Sequence, residues 1–135
     1  MSIQTIREGI AANLAAIPGL RTSAFVPDNP TPPIAIVIPT RVEFDSSFAR
    51  GLDQFTFEVM VIAARASERN AQSTLDSYCN VTGASSVKVA IESDQTLGGT
   101  VMDCRVTEMS SYGSLAIGEV QYLQATFTVA AIGNS

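Results

Sequence analysis

The stretch Phe44–Ala64, FDSSFARGLDQFTFEVMVIAA, joins two unlike halves. Its first half is a polar, glycine-containing loop that carries Asp45, Arg50 and Asp53. Its second half alternates as a strand: Phe55, Phe57, Val59, Val61 and Ala63 share one face, and Thr56, Glu58, Met60, Ile62 and Ala64 share the other. Only one face is apolar at first; from Met60 onward both are. A strand apolar on both faces lies between two layers or against another subunit, so the pattern is a first hint of assembly.

Working outward, Ile3, Ile6, Ile10, Leu14 and Ile17 recur every three or four residues and predict an amphipathic N-terminal helix. Ser2 is its expected N-cap, and Pro18-Gly19 ends it. Leu20 to Val26 reads as extended. Pro27 to Pro33 then gathers four of the six prolines into a stiff connector, since proline fixes φ and donates no backbone hydrogen bond. Ile34–Ile38 is a short buried-type strand closed by Pro39, and Arg41–Phe44 is a further extended piece.

Beyond the central strand, Ala66–Asn80 predicts a helix capped by Ser67, with Ala71, Leu75, Tyr78 and Cys79 on its buried stripe. A shorter helix, Ser86–Glu92, buries Val87, Ala90 and Ile91. Leu97-Gly98-Gly99 makes a turn. Two long strands, Thr100–Ser110 and Val120–Ala131, finish the chain, joined through Tyr112-Gly113 and Gly118, with Gly133–Ser135 frayed. This order predicts an α+β fold: a mostly antiparallel sheet with the N-terminal helix and the two middle helices packed on one face. Residues 1–135 read as a single domain, long enough for a sizeable core.

Composition narrows the functions. The chain is 46% hydrophobic and 16% charged, as folded chains are. No apolar run approaches the roughly 20 residues that span a bilayer, so no membrane role is expected. Arg7 and Glu8 interrupt the positions a signal peptide would need, which points to a cytoplasm or something assembled there. The net charge of −5 and the scatter of one lysine and seven arginines argue against adhesive nucleic-acid binding. Cys79 and Cys104 have no CxxC spacing and read as free thiols.

Chemistry is sparse. With no histidine, the commonest general base and metal ligand are missing. Ser85-Ser86-Val87-Lys88 fits SxxK, the serine–lysine pattern of penicillin-binding proteins and β-lactamases, but the companion SDN and KTG motifs are absent. The plainer reading has Ser85 or Ser86 capping a helix and Lys88 solvated; a small serine hydrolase is the rival. Glu92 with Asp94, and Asp45 with Asp53, are the nearest carboxylate pairs, and neither sits in a metal-loop pattern. No catalytic, cofactor or metal site is expected. In the loop, Phe48 and Leu52 are apolar among polar neighbours. They either fold back on the core or anchor a neighbouring subunit, with Asp45, Arg50 and Asp53 setting register.

Three segments together carry a resemblance: IREGIAANLAAIPGLR (residues 6–21), FDSSFARGLDQFTFEVMV (44–61) and GASSVKVAIESDQTLGGTVMDCRV (83–106). Nearly the whole chain resembles the small tail terminator proteins of siphovirus-type phages, those of actinobacterial hosts above all. The resemblance implies an α+β subunit of a hexameric ring that caps the tail tube, stops its polymerisation and offers a docking surface to the head. It implies two protein partners, the major tail tube protein and a head-completion (stopper) protein, and a place at the head-proximal end of the virion's tail. DNA would pass through the lumen without specific binding, and an acidic lumen would keep it mobile. A head-closure stopper or a tail-tube subunit of the same connector is the alternative within this class.

Overall fold

The computed structural model describes residues 3–17, 19–23, 32–44, 52–99 and 101–134. The element order is α1 (Ile3–Leu14), β1 (Arg21–Ser23), β2 (Ile34–Glu43), β3 (Leu52–Arg65), α2 (Ala71–Cys79), α3 (Val87–Glu92), β4 (Asp103–Ile117) and β5 (Val120–Asn134). The strands form one five-stranded sheet in the order β1-β2-β3-β5-β4. Every pairing is antiparallel except β1 with β2, so the sheet is mixed, within the expected α+β class.

The three helices among the described residues feed one core. Ile6, Ile10 and Leu14 of α1, Ala71, Leu75 and Tyr78 of α2, and Val87, Ala90 and Ile91 of α3 are buried. They share a hydrophobic layer with Phe55, Phe57, Val59 and Val61 of β3 and with Phe127, Val129 and Ala131 of β5. The helical period of 3.6 and the strand period of 2 thus deliver their apolar residues to the same layer. Asn13 locks α1 to α3: its Nδ2 donates to the carbonyls of Ile91 (2.9 Å), in the last turn of α3, and of Asp94 (3.0 Å), just beyond it. Gly9 is required by a close approach, since a Cβ there would lie 2.9 Å from Leu97 Cβ.

The other face of the sheet holds a second cluster. Ile34, Ile36, Ile62 and Tyr122 are buried there, with Ile38, Met60, Leu115, Ile117 and Val120 packed against them. Leu115, Ile117 and Val120 come from the tip of the β4–β5 hairpin. The doubly apolar end of β3 is therefore covered within one chain: Ile62 is wholly buried without a neighbouring subunit. The first hint of assembly has an intramolecular explanation.

Several boundaries differ from the sequence expectation, each for a local reason. β2 runs through Pro39 rather than stopping there, because a register shift falls between Pro39 and Arg41. A bulge tolerates the missing N–H of proline, and the skipped Thr40 donates its hydroxyl to the Thr56 carbonyl at 3.1 Å. Helix α2 begins at Ala71, not after Ser67. The Ala66 N–H donates to the Gln121 carbonyl at 2.8 Å, which holds the chain to β5 before the turns at 66–70. Its N-cap is Asn70, without a side-chain cap bond.

β4 likewise continues past Ser110 to Ile117. A register shift between Ser110 and Gly113, with Ser111 at φ +55°, absorbs the polar stretch that reads as a break. Gln124 Nε2 donates to the Ser111 carbonyl at 2.5 Å and steadies it. The hairpin then turns in two residues at Gly118-Glu119, where Gly118 has φ +64°. Such a tight turn needs a residue at positive φ. Gly133 and Asn134 are paired with β3, not frayed.

Because the second cluster is intramolecular, Ile62→Ala should lower the unfolding free energy by about 2–5 kcal/mol, equally in dilute and concentrated protein. Denaturant titration at two concentrations checks this; a loss seen only in the concentrated sample would place the burial between subunits.

Candidate functional site

Asp45, Phe48 and Arg50 lie outside the described residues. Leu52 and Asp53 are not loop residues: they open β3, in register with Asn134 and Gly133 of β5. The strand starts three residues earlier than the aromatic pattern suggests, since β5 extends to meet it. Asp53 is only 4% exposed. Phe44, which follows β2, is 75% exposed.

The SxxK residues are engaged in structure. Ser86 is the N-cap of α3; its Oγ accepts from the Val89 N–H at 3.3 Å and donates to the Asn80 carbonyl at 2.6 Å. Ser85 precedes the helix. Lys88 is not simply solvated: its Nζ donates to Glu92 Oε2 at 2.6 Å and to the Val106 carbonyl at 3.4 Å. The same Glu92 oxygen accepts the Val106 N–H at 2.9 Å. One ion pair on α3 thus meets both backbone groups of a residue on β4, the last strand of the sheet. A donor and an acceptor in that place are what a further strand would have provided.

The carboxylate pair separates into two structural roles. Burial pushes the Glu92 carboxyl upward, but the Lys88 hydrogen bond, the Val106 N–H and the charges of Lys88 and Arg105 outweigh it, so its pKa is lowered. Asp94 holds the following turn, Oδ1 accepting from the Thr96 hydroxyl (2.9 Å) and Oδ2 from the Gly98 N–H (2.9 Å). The Thr96 and Gly98 bonds hold its carboxyl below the usual range. Both therefore stay ionised, and neither is poised to donate a proton near neutrality. Cys79 and Cys104 are free thiols. Burial, with nearby carboxylates, pushes them up to about 11 and about 12 respectively, which makes them poor nucleophiles.

What the described residues do bring together is an exposed strip along β4. The strand is tied to the helical layer at two points: at Val106 by the Lys88–Glu92 pair, and at Tyr112, whose hydroxyl donates to Asp76 Oδ1 at 2.5 Å. That bond to Asp76 is also the main reason the Tyr112 pKa is raised. Between the two ties, Thr107 to Ser111 are all exposed. A shallow groove of about 240 Å³ runs beside this segment, lined by Cys79, Val81, Lys88, Thr107, Met109 and Phe127 among others. Val81 (70% exposed) and Met109 (41%) present apolar surface there. The sequence carries little signal for this strip, since β4 reads there as an ordinary polar strand end.

Among the described residues, no group of three or more His, Cys, Asp or Glu is placed to hold a metal ion, and no helix is long and apolar enough to cross a membrane. No protein-family model and no curated protein matches the chain.

Glu92→Gln keeps an acceptor for Val106 but loses the charge; it should cost about 1 kcal/mol at pH 7. The folded-state pKa of Glu92 is depressed from its ordinary 4.5, so this contribution is full above that value and is lost as pH falls through the folded-state pKa. Thermal unfolding from pH 7 to pH 3 should show the gap between wild type and variant closing on the acid side. A gap constant with pH would contradict this role for Glu92.

Proposed function

We propose that this chain is a structural phage protein, a tail terminator whose ring caps the tail tube, stops its growth and receives the head. The carrying observation is the exposed β4 segment Thr107–Ser111 with its flanking apolar Val81 and Met109. An open strand edge with exposed apolar side chains suits protein contact better than small-molecule chemistry. The α+β arrangement agrees with what the resemblance over residues 6–21, 44–61 and 83–106 implies. Its partners on this reading are further copies of itself, the major tail tube protein and a head-completion protein, at the head-proximal end of the tail.

The charge of −5 suits a ring through which DNA must slide, since acidic surfaces repel phosphates. Asp45, Phe48, Arg50 and, at the start of β3, Leu52 are proposed as a further contact with tube or neighbour. Asp53 is buried at the start of β3, in register with Gly133, and stands apart from that contact. A serine hydrolase is disfavoured because Lys88, the base that the SxxK pattern would supply, is committed to Glu92 and Val106.

Added to polymerising tail tube subunits, the protein should yield tubes of arrested length with a ring at one end in negative-stain images. Tubes that grow unchecked would overturn the proposal. Open-ended polymers of this chain by itself would move the assignment to a tail-tube subunit.

A further inference from the structure

The chain carries two cysteines, four methionines and no tryptophan, so the groups a peroxide can oxidise are chiefly its sulfurs. Burial sorts them. Cys104 is wholly buried and Cys79 half-buried. Burial and Asp76 push the Cys79 thiol up to about 11, which leaves almost none of the thiolate that reacts with peroxides. Met60 packs against the second cluster, with Ile34, Ile36 and Ile62. Met1 lies outside the described residues. Met102 (60%) and Met109 (41%) are left exposed.

The two exposed sulfurs stand in different places. Met102 precedes β4, and its N–H donates to the Ile132 carbonyl at 2.8 Å. Met109 lies about 20 Å further along the strand, in the middle of the exposed segment Thr107–Ser111. Its register partner is Phe127, a member of the helix-side core. Directly opposed residues share a face of the sheet, so the Met109 side chain lies on the helix side. There it lines the groove of about 240 Å³ with Cys79, Val81, Lys88 and Phe127. Lys88 is committed to Glu92 and the Val106 carbonyl, while Phe127 and Val81 keep the groove apolar. A thioether suits that surface, and a polar sulfoxide does not.

We infer that Met109 is a site of reversible oxidation by hydroperoxides, and that its sulfoxide closes the β4 edge to protein partners. The inference rests on the contact role proposed for that edge above. In the step, the Met109 sulfur gives an electron pair to the terminal peroxide oxygen and the O–O bond breaks. Sulfur is oxidised to the sulfoxide. The terminal oxygen's proton passes to the departing oxygen, which leaves as water or, from an alkyl hydroperoxide, as an alcohol. A methionine sulfoxide reductase reverses the change. A bound partner covers the sulfur, so the modification falls on unassembled copies and holds them out of assembly.

Hydrogen peroxide on the dilute protein, followed by peptide mass mapping, tests the site. One added oxygen should appear at Met109 and at Met102, with Met60 unchanged and both cysteines free to alkylate after unfolding. Met109 that stays a thioether, whether or not another sulfur oxidises, overturns the inference. Tail tubes test the consequence. Oxidised wild type should cap tubes about tenfold less efficiently than untreated protein, and reductase treatment should restore it. Met109→Gln, a polar stand-in for the sulfoxide, should show the same loss without peroxide and no further loss with it. Met102→Leu should cap like wild type and stay sensitive. Circular dichroism establishes that every sample is folded. Oxidised protein or Met109→Gln that caps fully overturns the inference and leaves the terminator reading standing. Untreated protein that leaves tubes uncapped overturns the terminator reading instead, and the mapping still decides the site.

Discussion

Strand β3 loses water from both of its faces, and the rest of the fold is arranged around that requirement. Phe57, Val59 and Val61 go to the helical side, and Ile62 goes to the other. The first side needs three helices, held in place by the Asn13 bonds to α3 and by the close fit of Leu97 over Gly9. The second side has no helix among the described residues. It is closed by residues of β2 and by the curled tip of the β4–β5 hairpin, which can reach because Ser111 adopts a left-handed conformation and the register slips around it. A hairpin with fully regular pairing would lack this local bend and the added twist a bulge brings.

Placing β5 beside β3 makes β4 the sheet's end, and the helical layer then deals with β4 unevenly. The Lys88–Glu92 pair acts as a substitute strand at Val106, and Tyr112 reaches back to Asp76. The segment between them is left open. Energetically this is where a partner has most to gain, because the backbone there needs no unfolding to be used and Met109 and Val81 already face solvent.

Much of the fold was legible in the residues. The stripe of Ile6, Ile10 and Leu14, the alternation from Phe55 to Val61, and the short α3 with its serine cap all follow local periodicity and capping rules. The errors fall where distant groups decide. Pro39 stays in a strand because Thr40 and Thr56 compensate across the ladder. Ser67 fails to cap a helix because Gln121 holds Ala66. Asp53 is buried because β5 runs far enough to pair with it. For the site, the apolar Phe48 and Leu52 among polar neighbours were the visible feature, whereas the β4 strip was not: nothing local to Thr107–Tyr112 announces that it is the end of a sheet. That status follows from strand order, which short-range pattern does not encode. Lys88 read as solvated for the same reason, since its partner backbone at Val106 is supplied by the tertiary fold.

The most direct test of the β4 edge as the assembly surface is residue-level amide hydrogen exchange, compared between dilute and concentrated protein. Cys104 and Val106, already bonded to Asp103 and Glu92, should exchange slowly in both. The amides of Thr107–Tyr112 that point away from β5 should exchange fast when dilute and become protected on association. Protection that appears elsewhere on the molecule while Thr107–Tyr112 stays fast would contradict the account.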